Sequence, residues 1–391
     1  MIHSSGRRLR PWVVLLLPWL VSACVNTIGR YDGGDYPAST DGDNRESDLL
    51  AEDISDVPPD EEAPEAEDPG ETGTDGDEAP PADGDGQDVA EQLDITDVSD
   101  FSDQETGPAI SLRIATYNVR RLFDTTCDSG SCGGDEYEEL PDLATYQAKI
   151  QATAEAIDTI DAHIVLLQEI ETQGCLSDLS ARLGGRYTVV RLGETGGDAS
   201  VDVGVLAGGT LQYTHDYRAD GPIPRPGGGS TTFSRAFFEV HVRVEGQLVI
   251  LFVTHFKSKS DDDPSRRLAE AMAARDIVTG VAAQHPEALV VMGGDLNDTP
   301  GSDPLNTLEQ GGLLVRVAGE LDNNRDATYY YGGPQAIDHL YLAETAAGRY
   351  TAGSAVVVKD GYYRLGDSDH AALRAAFTLG TTARAALPAT P

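Results

Sequence analysis

Leu289-Val290-Val291-Met292-Gly293-Gly294-Asp295-Leu296-Asn297-Asp298-Thr299-Pro300 is the stretch on which the reading of this chain turns. Its apolar half has the length and composition of a buried strand. The glycine pair reads as a sharp exit from that strand, because glycine turns without steric cost. Asp295 and Asn297 then stand two residues apart at the carboxyl end, where an α/β sheet usually handles ligands. A carboxylate and a carboxamide held there are equipped to activate a water and to stabilise an oxyanion. Turn chemistry alone also accounts for Asp-x-Asn followed by Thr-Pro. The partners elsewhere in the chain have to decide.

Outward from this stretch, polar residues recur at the ends of predicted strands. Ile110 to Asn118 alternates apolar and polar and ends at Asn118. A helix is predicted from about Thr145 to Asp161, with Ile150, Ile157 and Ile160 at helical spacing. The apolar run Ile164–Leu167 delivers Gln168 and Glu169. Val201–Ala207 reads as another strand, and Phe233–Glu245 as one that places Arg235 opposite its apolar face. Leu248–Val253 ends at Thr254-His255. Asp263-Pro264 is a helix start, cap then proline, for a helix running to about Ala283. Late strands are expected at Ile337–Leu342, which contains Asp338, at Ala355–Lys359, and at His370–Leu379, which follows Asp369. Strands dominate and helices are interspersed, so the fold expected is an α/β sandwich of packed sheets covered by helices. One polar residue at a strand end is ordinarily a cap or a turn former. Their joint occurrence matches the inventory of phosphate-ester hydrolysis: hard oxygen ligands for Mg²⁺, a water activator, and donors for the transition-state oxygens.

Six motifs stand in order: Thr-Tyr-Asn118-Val-Arg, Leu-Gln-Glu169-Ile, Thr-His255-Phe-Lys-Ser, Gly-Gly-Asp295-Leu-Asn297, Ile-Asp338-His-Leu-Tyr and Ser-Asp369-His370. Together they resemble the endonuclease/exonuclease/phosphatase family, the DNase I-like group, over about residues 112–378. The resemblance implies a four-layer α/β sandwich, two mixed sheets flanked by helices, with its site at one edge of the packed sheets. It implies Glu169 as the main Mg²⁺ ligand, helped by Asn118 and Asp369, with Mn²⁺ or Ca²⁺ as alternative ions. His370, oriented by Asp338, would contact the scissile phosphate or take a proton. Asp295 would position or deprotonate the water, Asn297 would stabilise charge on the phosphate oxygens, and His255 would act near the leaving group. Arg235, in Thr232-Phe-Ser-Arg235, resembles a phosphate-contacting segment. His163, His215, His241 and His285 have no motif around them and are read as structural, His339 as strand packing or an exposed ring. Lys257 and Lys259 are read as phosphate contacts or as solvated lysines beside Asp261 to Asp263.

The flanks are of different material. Residues 1–24 carry Arg7, Arg8 and Arg10, then an apolar run from Trp12 to Val21 broken by Pro18. That run is short for a membrane span and fits a signal peptide. Its end, Val21-Ser22-Ala23-Cys24, resembles a bacterial lipoprotein signal, which implies cleavage before Cys24 and lipid attachment there. Val25 and Asn26 lack the aspartate of inner-membrane retention, so the outer membrane is the expected site. Residues 25–108 hold 28 Asp or Glu against Arg30 and Arg45, in a chain of net charge −38. Sparse in apolar residues and self-repelling, this segment is expected to be a disordered acidic tether. Calcium binding by its Asp-Gly repeats is the alternative, though no full EF-hand pattern is present. The catalytic domain is assigned to residues 109–391, expected to be a monomer. Cys127 and Cys132 flank Asp-Ser-Gly-Ser and are candidates for a small disulfide, with Cys175 the odd cysteine or a partner of either.

Substrate is the least legible property. A nuclease normally shows a basic face, and this domain is net acidic, yet Arg235, Lys257 and a bound cation can act locally. An envelope nuclease acting on DNA or RNA is the favoured expectation. A phosphatase, or a sphingomyelinase or phospholipase C-type enzyme, is the second; the latter would call for an exposed aromatic hairpin, for which Tyr329-Tyr330-Tyr331 is the candidate. A noncatalytic binding protein on this scaffold is the third. Glycoside hydrolysis by paired carboxylates would not need the Asp-His pair.

Overall fold

The computed structural model describes residues 109–380 except 135, 198 and 199, so the expected signal peptide, lipidated Cys24 and acidic tether lie outside the described residues. The fold rests on two six-stranded mixed sheets. In the first are β1 (Ile110–Leu122), β2 (Ile164–Ile170), β3 (Val189–Gly193), β4 (Asp202–Ala207), β11 (Val356–Val358) and β12 (Ala372–Leu379), in the order β11-β12-β1-β2-β4-β3. The second contains β5 (Thr210–Asp216), β6 (Phe238–Val244), β7 (Gln247–His255), β8 (Leu289–Asp295), β9 (Leu314–Arg316) and β10 (Asp338–Ala343), in the order β9-β10-β8-β7-β6-β5. Helices α1 (Leu143–Ile160) and α2 (Gln173–Arg182) cover one sheet, and α3 (Pro264–Gln284) and α4 (Asp303–Glu309) the other.

The four layers follow from strands that are apolar on both faces. Ile114, Leu166, Val205, Val240, Leu251, Val291, Leu340 and Phe377 interleave between the sheets. The alternate residues of the same strands face outward: Val165 and Leu167 pack with Ile150, Ile157 and Leu176 of the helices, and Val290 and Met292 pack with Ala274, Val278 and Leu305. An uninterrupted apolar run such as Leu289–Met292 is what a strand covered on both faces requires. Helix ends obey local chemistry. Asp142 accepts from Thr145 N at 2.8 Å to open α1, and Asp263 accepts from Arg266 N at 2.9 Å to open α3, where proline occupies the first turn.

Three sequence expectations need correction. Gly293 and Gly294 do not turn the chain; both lie within β8. A methyl built on Gly294 would sit 1.9 Å from the Thr254 carbonyl oxygen, and one on Gly293 2.6 Å from Leu340 Cδ2 and 2.9 Å from Leu166 Cδ1. The glycines are there for close approach, of the neighbouring strand backbone and of the facing sheet. Gly294→Ala is therefore expected to cost at least ~3 kcal/mol of stability, read by urea denaturation; an unchanged midpoint would contradict the packing described. The strand predicted from Phe233 begins at Phe238, because Phe233 and Phe237 stack with centroids 4.9 Å apart in the α3 layer instead. The last strand begins at Ala372, leaving His370 in the approach to it.

Candidate active site

Strand register assembles the middle of the centre. Asp295, at the end of β8, is the cross-strand partner of Asp338 on one side and of His255 on the other. Asn118 lies in β1 of the facing sheet, opposite Gln168 of β2. Glu169 is a bulge residue. The pairings of β2 slip between Gln168 and Ile170, and Glu169 takes a φ of 67°. A bulge re-aims one side chain without moving the rest of its strand, and here it brings the Glu169 carboxylate to Asn118.

Asn118 joins the two sheets. Its amide nitrogen donates to Glu169 Oε1 at 2.9 Å and to Asp295 Oδ2 at 3.2 Å, while its oxygen accepts from Arg120 N at 2.9 Å. The second Glu169 oxygen accepts from Arg121 N at 3.0 Å. Asn118, expected as a cation ligand, thus presents N–H to both carboxylates and positions them. Asp295 Oδ1 accepts from Asn297 N at 2.9 Å, and the Asn297 side-chain amide donates to Phe256 O at 3.1 Å. His255 Nε2 and His370 Nε2 stand 3.7 and 3.8 Å from Asp295 Oδ2, beyond hydrogen-bond range. His370 Nδ1 lies 2.9 Å from Asp338 Oδ2.

The loop carrying His370 is tied down on two sides. Ser368 Oγ donates to Asn118 O at 2.7 Å and accepts from His370 N at 3.0 Å. Thr328 Oγ1 accepts from Asp338 N at 3.1 Å, and Thr328 O accepts from Ala371 N at 2.7 Å. The Tyr329 ring covers His370 with centroids 4.7 Å apart. Asp369 sits at the rim, 3.8 Å from Arg120 Nε and 4.0 Å from His370 Nε2. Arg235, by contrast, lies near enough to Asp202 to hold down its carboxyl, which burial pushes up. Asn118, Glu169, His255, Asp295, Asn297, Asp338, Asp369 and His370 converge at one end of the packed sheets.

Charge explains what each group can do. Burial alone would raise the Glu169 carboxyl, but His255, the Asn118 amide and His370 more than offset it and hold it below its ordinary range. Asp295 is pushed up, by burial and then by the Asp338 carboxylate, against the pull of His370 and His255. Burial disfavours the His370 cation, yet Asp338, with Asp295 and Asp369, carries its pKa up to about 10. The folded chain therefore binds that proton more tightly than the unfolded one, whose value is near 6.5. This contribution to stability is complete below pH ~6.5 and is lost as pH rises through about 10. In the presence of chelator, Asp338→Asn is expected to flatten the fall of urea stability between pH 7 and 10.

The oxygen donors gathered here are hard and anionic. The Glu169 and Asp295 carboxylates both accept from the Asn118 amide, and the Asp369 carboxylate stands at the rim. Such a donor set fits Mg²⁺ or Mn²⁺.

Other expectations resolve as packing. His339 is buried and bonds Asp298 O through Nε2 at 3.0 Å. Lys257 is buried rather than solvated, and its Nζ donates to Ser260 O at 3.1 Å. Lys259 reaches Asp298 at 3.3 Å, which Arg267 also holds at 3.0 Å, so this lysine braces the Asp295–Asp298 turn. Cys127 and Cys132 are joined, and Cys175 is buried as a thiol.

One feature gave little warning in the sequence. Arg120 and Arg121 are consecutive non-glycine residues with φ of 57° and 48°. They line a cleft of about 620 Å³ with Lys149 and Tyr146, beside the Glu169 carboxylate. Strained backbone of this kind clusters where side chains must be aimed. The tyrosine cluster expected as an exposed aromatic hairpin does form one around 329–335, where Tyr331 is 75 % exposed and Tyr330 packs on Tyr362 at 5.0 Å.

The sequence model described as the Endonuclease/Exonuclease/phosphatase family matches residues 115–370. Among solved structures, truncated Caenorhabditis elegans TDP2 is 20 % identical, with a TM-score of 0.49 over 69 % of this chain and 98 % of that one. An endonuclease/exonuclease/phosphatase family protein from Bacteroides thetaiotaomicron is 16 % identical, with a TM-score of 0.49 over 69 % and 98 %. The human Nocturnin catalytic domain with bound sulfate anion is 12 % identical, with a TM-score of 0.50 over 71 % and 97 %. At that identity the likeness is one of fold. None of the curated proteins matches the chain.

Proposed function

The chain belongs to the endonuclease/exonuclease/phosphatase family, and from that premise we propose that it is a divalent-cation-dependent phosphodiester hydrolase that cleaves single-stranded nucleic acid at the cell envelope. The observation that carries the reading is the convergence of Glu169, Asp295, His255 and the Asp338–His370 pair through Asn118. Glu169, with Asp369 at the rim, would hold the Mg²⁺, which when bound neutralises charge on the phosphate oxygens. Asp295, pushed upward toward the working range of a base, positions and deprotonates the attacking water. His370, kept cationic by Asp338, donates to a phosphate oxygen from Nε2. His255 donates on the other side of Asp295. Asn297 has one amide N–H on Phe256 O and offers its other to the same oxygens. The water's proton passes to Asp295, and the leaving oxygen draws its proton from an imidazolium.

Nucleic acid is favoured by the surroundings of the site rather than by overall charge. Arg120, Arg121 and Lys149 line a cleft beside the site, each facing an acid (Asp369, Glu139 and Asp367), so that a phosphate would compete with these pairs for three cations. Tyr330, Tyr331 and Tyr362 offer exposed rings of the kind on which unpaired bases stack. The same exposed hairpin supports a second reading, attack on phospholipid head groups at a membrane surface. The two separate on a substrate panel. The full chain with Mg²⁺ is offered single-stranded DNA, RNA, a phosphomonoester and sphingomyelin vesicles, each also with chelator. Chelator-sensitive cleavage of the single strands, weakened in Tyr331→Ala, is expected; phosphocholine release would favour the lipid reading, and inactivity on all four would overturn both. Envelope attachment through Cys24 belongs to this proposal. Cys24→Ser is expected to move the protein from the membrane fraction to the soluble fraction, and an unchanged partition would remove the anchor.

A further inference from the structure

A second acidic centre lies apart from the catalytic one and shares no residue with it. Glu171 and Thr172, just past the carboxyl end of β2, line a cleft of about 230 Å³ with Asp128, Glu194 and Asp202. Asp124 closes in from the disulfide side, and the ligand atoms of Asp124, Glu171 and Cys175 lie within 4.8 Å of one another. Glu171 is only 4 % exposed. Its Oε2 accepts from Asp124 N at 2.6 Å, but its Oε1, also buried, has no hydrogen-bond partner among the described residues. Asp202 is 1 % exposed, its oxygens held by Thr195 N at 3.2 Å and Ser200 Oγ at 3.0 Å. Arg235 lies near enough to Asp202 to hold down its carboxyl, whereas the charges around Glu171 are the carboxylates of Asp124, Asp128 and Glu138.

Buried carboxylates ordinarily carry a partner for every oxygen. The amino terminus of α2 adjoins this cleft, but a helix end supplies only about half a positive charge, too little for several carboxylates. A cation would satisfy the orphan oxygen and the charge together. We propose that this cleft is a second divalent-cation site that takes Ca²⁺, with Glu171 Oε1 and Asp124 as its inner ligands and the Asp128 and Glu194 carboxylates at its rim. The donors come from separate loops, and oxygens far outnumber the single sulfur of Cys175. Ca²⁺ accepts six to eight oxygens in irregular geometry, whereas Zn²⁺ favours a tetrahedron with nitrogen or sulfur. Bound there, the ion ties the disulfide-closed loop to the end of β2 and to the entry of β4, so its role is to stabilise the scaffold behind Glu169.

The test is thermal unfolding of the full chain carrying Glu169→Gln, so that the catalytic carboxylate does not contribute. A site with Kd of ~10⁻⁴ M, typical of weaker calcium modules, would raise Tm by about 5 °C at 10 mM Ca²⁺. Ca²⁺ taken up by residues 25–108 would not stabilise the folded domain. Adding Glu171→Gln is expected to abolish the rise. Adding Glu194→Gln, at an exposed position that folding does not depend on, is expected to weaken the affinity about threefold to tenfold, and it serves if Glu171→Gln does not fold. Absence of any Ca²⁺-dependent rise, or an equal rise in the Glu171→Gln and Glu194→Gln proteins, would overturn the proposal. A larger rise with Zn²⁺ that Cys175→Ser removes would overturn the assignment to Ca²⁺.

Discussion

Glu169→Gln is expected to lower Mg²⁺-supported phosphodiester cleavage by about 10³-fold or more, on the scale of lost electrostatic stabilisation of a transition state. The substitution keeps the shape of the side chain and its bulged backbone, but it removes the charge that Asn118 and Arg121 N hold in place. It also removes the anion that His255 and His370 face. Mg²⁺ affinity should fall with the rate, so higher Mg²⁺ is expected to recover part of the activity. The measurement is initial rate against Mg²⁺ concentration on a single-stranded oligonucleotide. A variant with unchanged rate and unchanged Mg²⁺ dependence would remove Glu169 from the site.

Asp295→Asn is expected to lower kcat by about 10³- to 10⁴-fold, the range for loss of a positioned base, with substrate KM changed little. A carboxamide can still accept from Asn297 N, so the turn at 295–298 should persist. What it cannot do is take a proton from water. It also removes one of two neighbouring carboxylates, since Asp295 and Asp338 are cross-strand partners. Relief of that repulsion should leave Tm equal to or above that of the parent. A large loss of kcat at an unchanged Tm therefore reports chemistry, whereas loss of both would report a structural role.

Much of the centre was legible because its residues sit where strands end. Asn118, His255 and Asp295 follow apolar runs whose register the pattern dictates, Asp338 opens the antiparallel strand beside Asp295, and two packed sheets bring these positions together. What could not be read was anything that departs from regular pairing. The bulge that re-aims Glu169 and the left-handed pair Arg120-Arg121 both have ordinary letters in ordinary runs. Gly293-Gly294 misled for a related reason, since glycine serves turning and close approach equally well in sequence. Phe233 to Phe237 looked like strand because its apolar residues were counted, while three-dimensional stacking, not alternation, holds them. The cleft around Glu171 was invisible, because its carboxylates come from four separate segments.

The most direct measurement is anomalous scattering from Mn²⁺ in crystals of the full chain grown with the metal and a non-hydrolysable phosphodiester. The expected result is an ion against the Glu169 carboxylate, with the phosphate between it, His370 and Asp295. Mn²⁺ absent from Glu169 at saturating concentration, with the phosphate bound away from His370, would contradict the assignment of this centre.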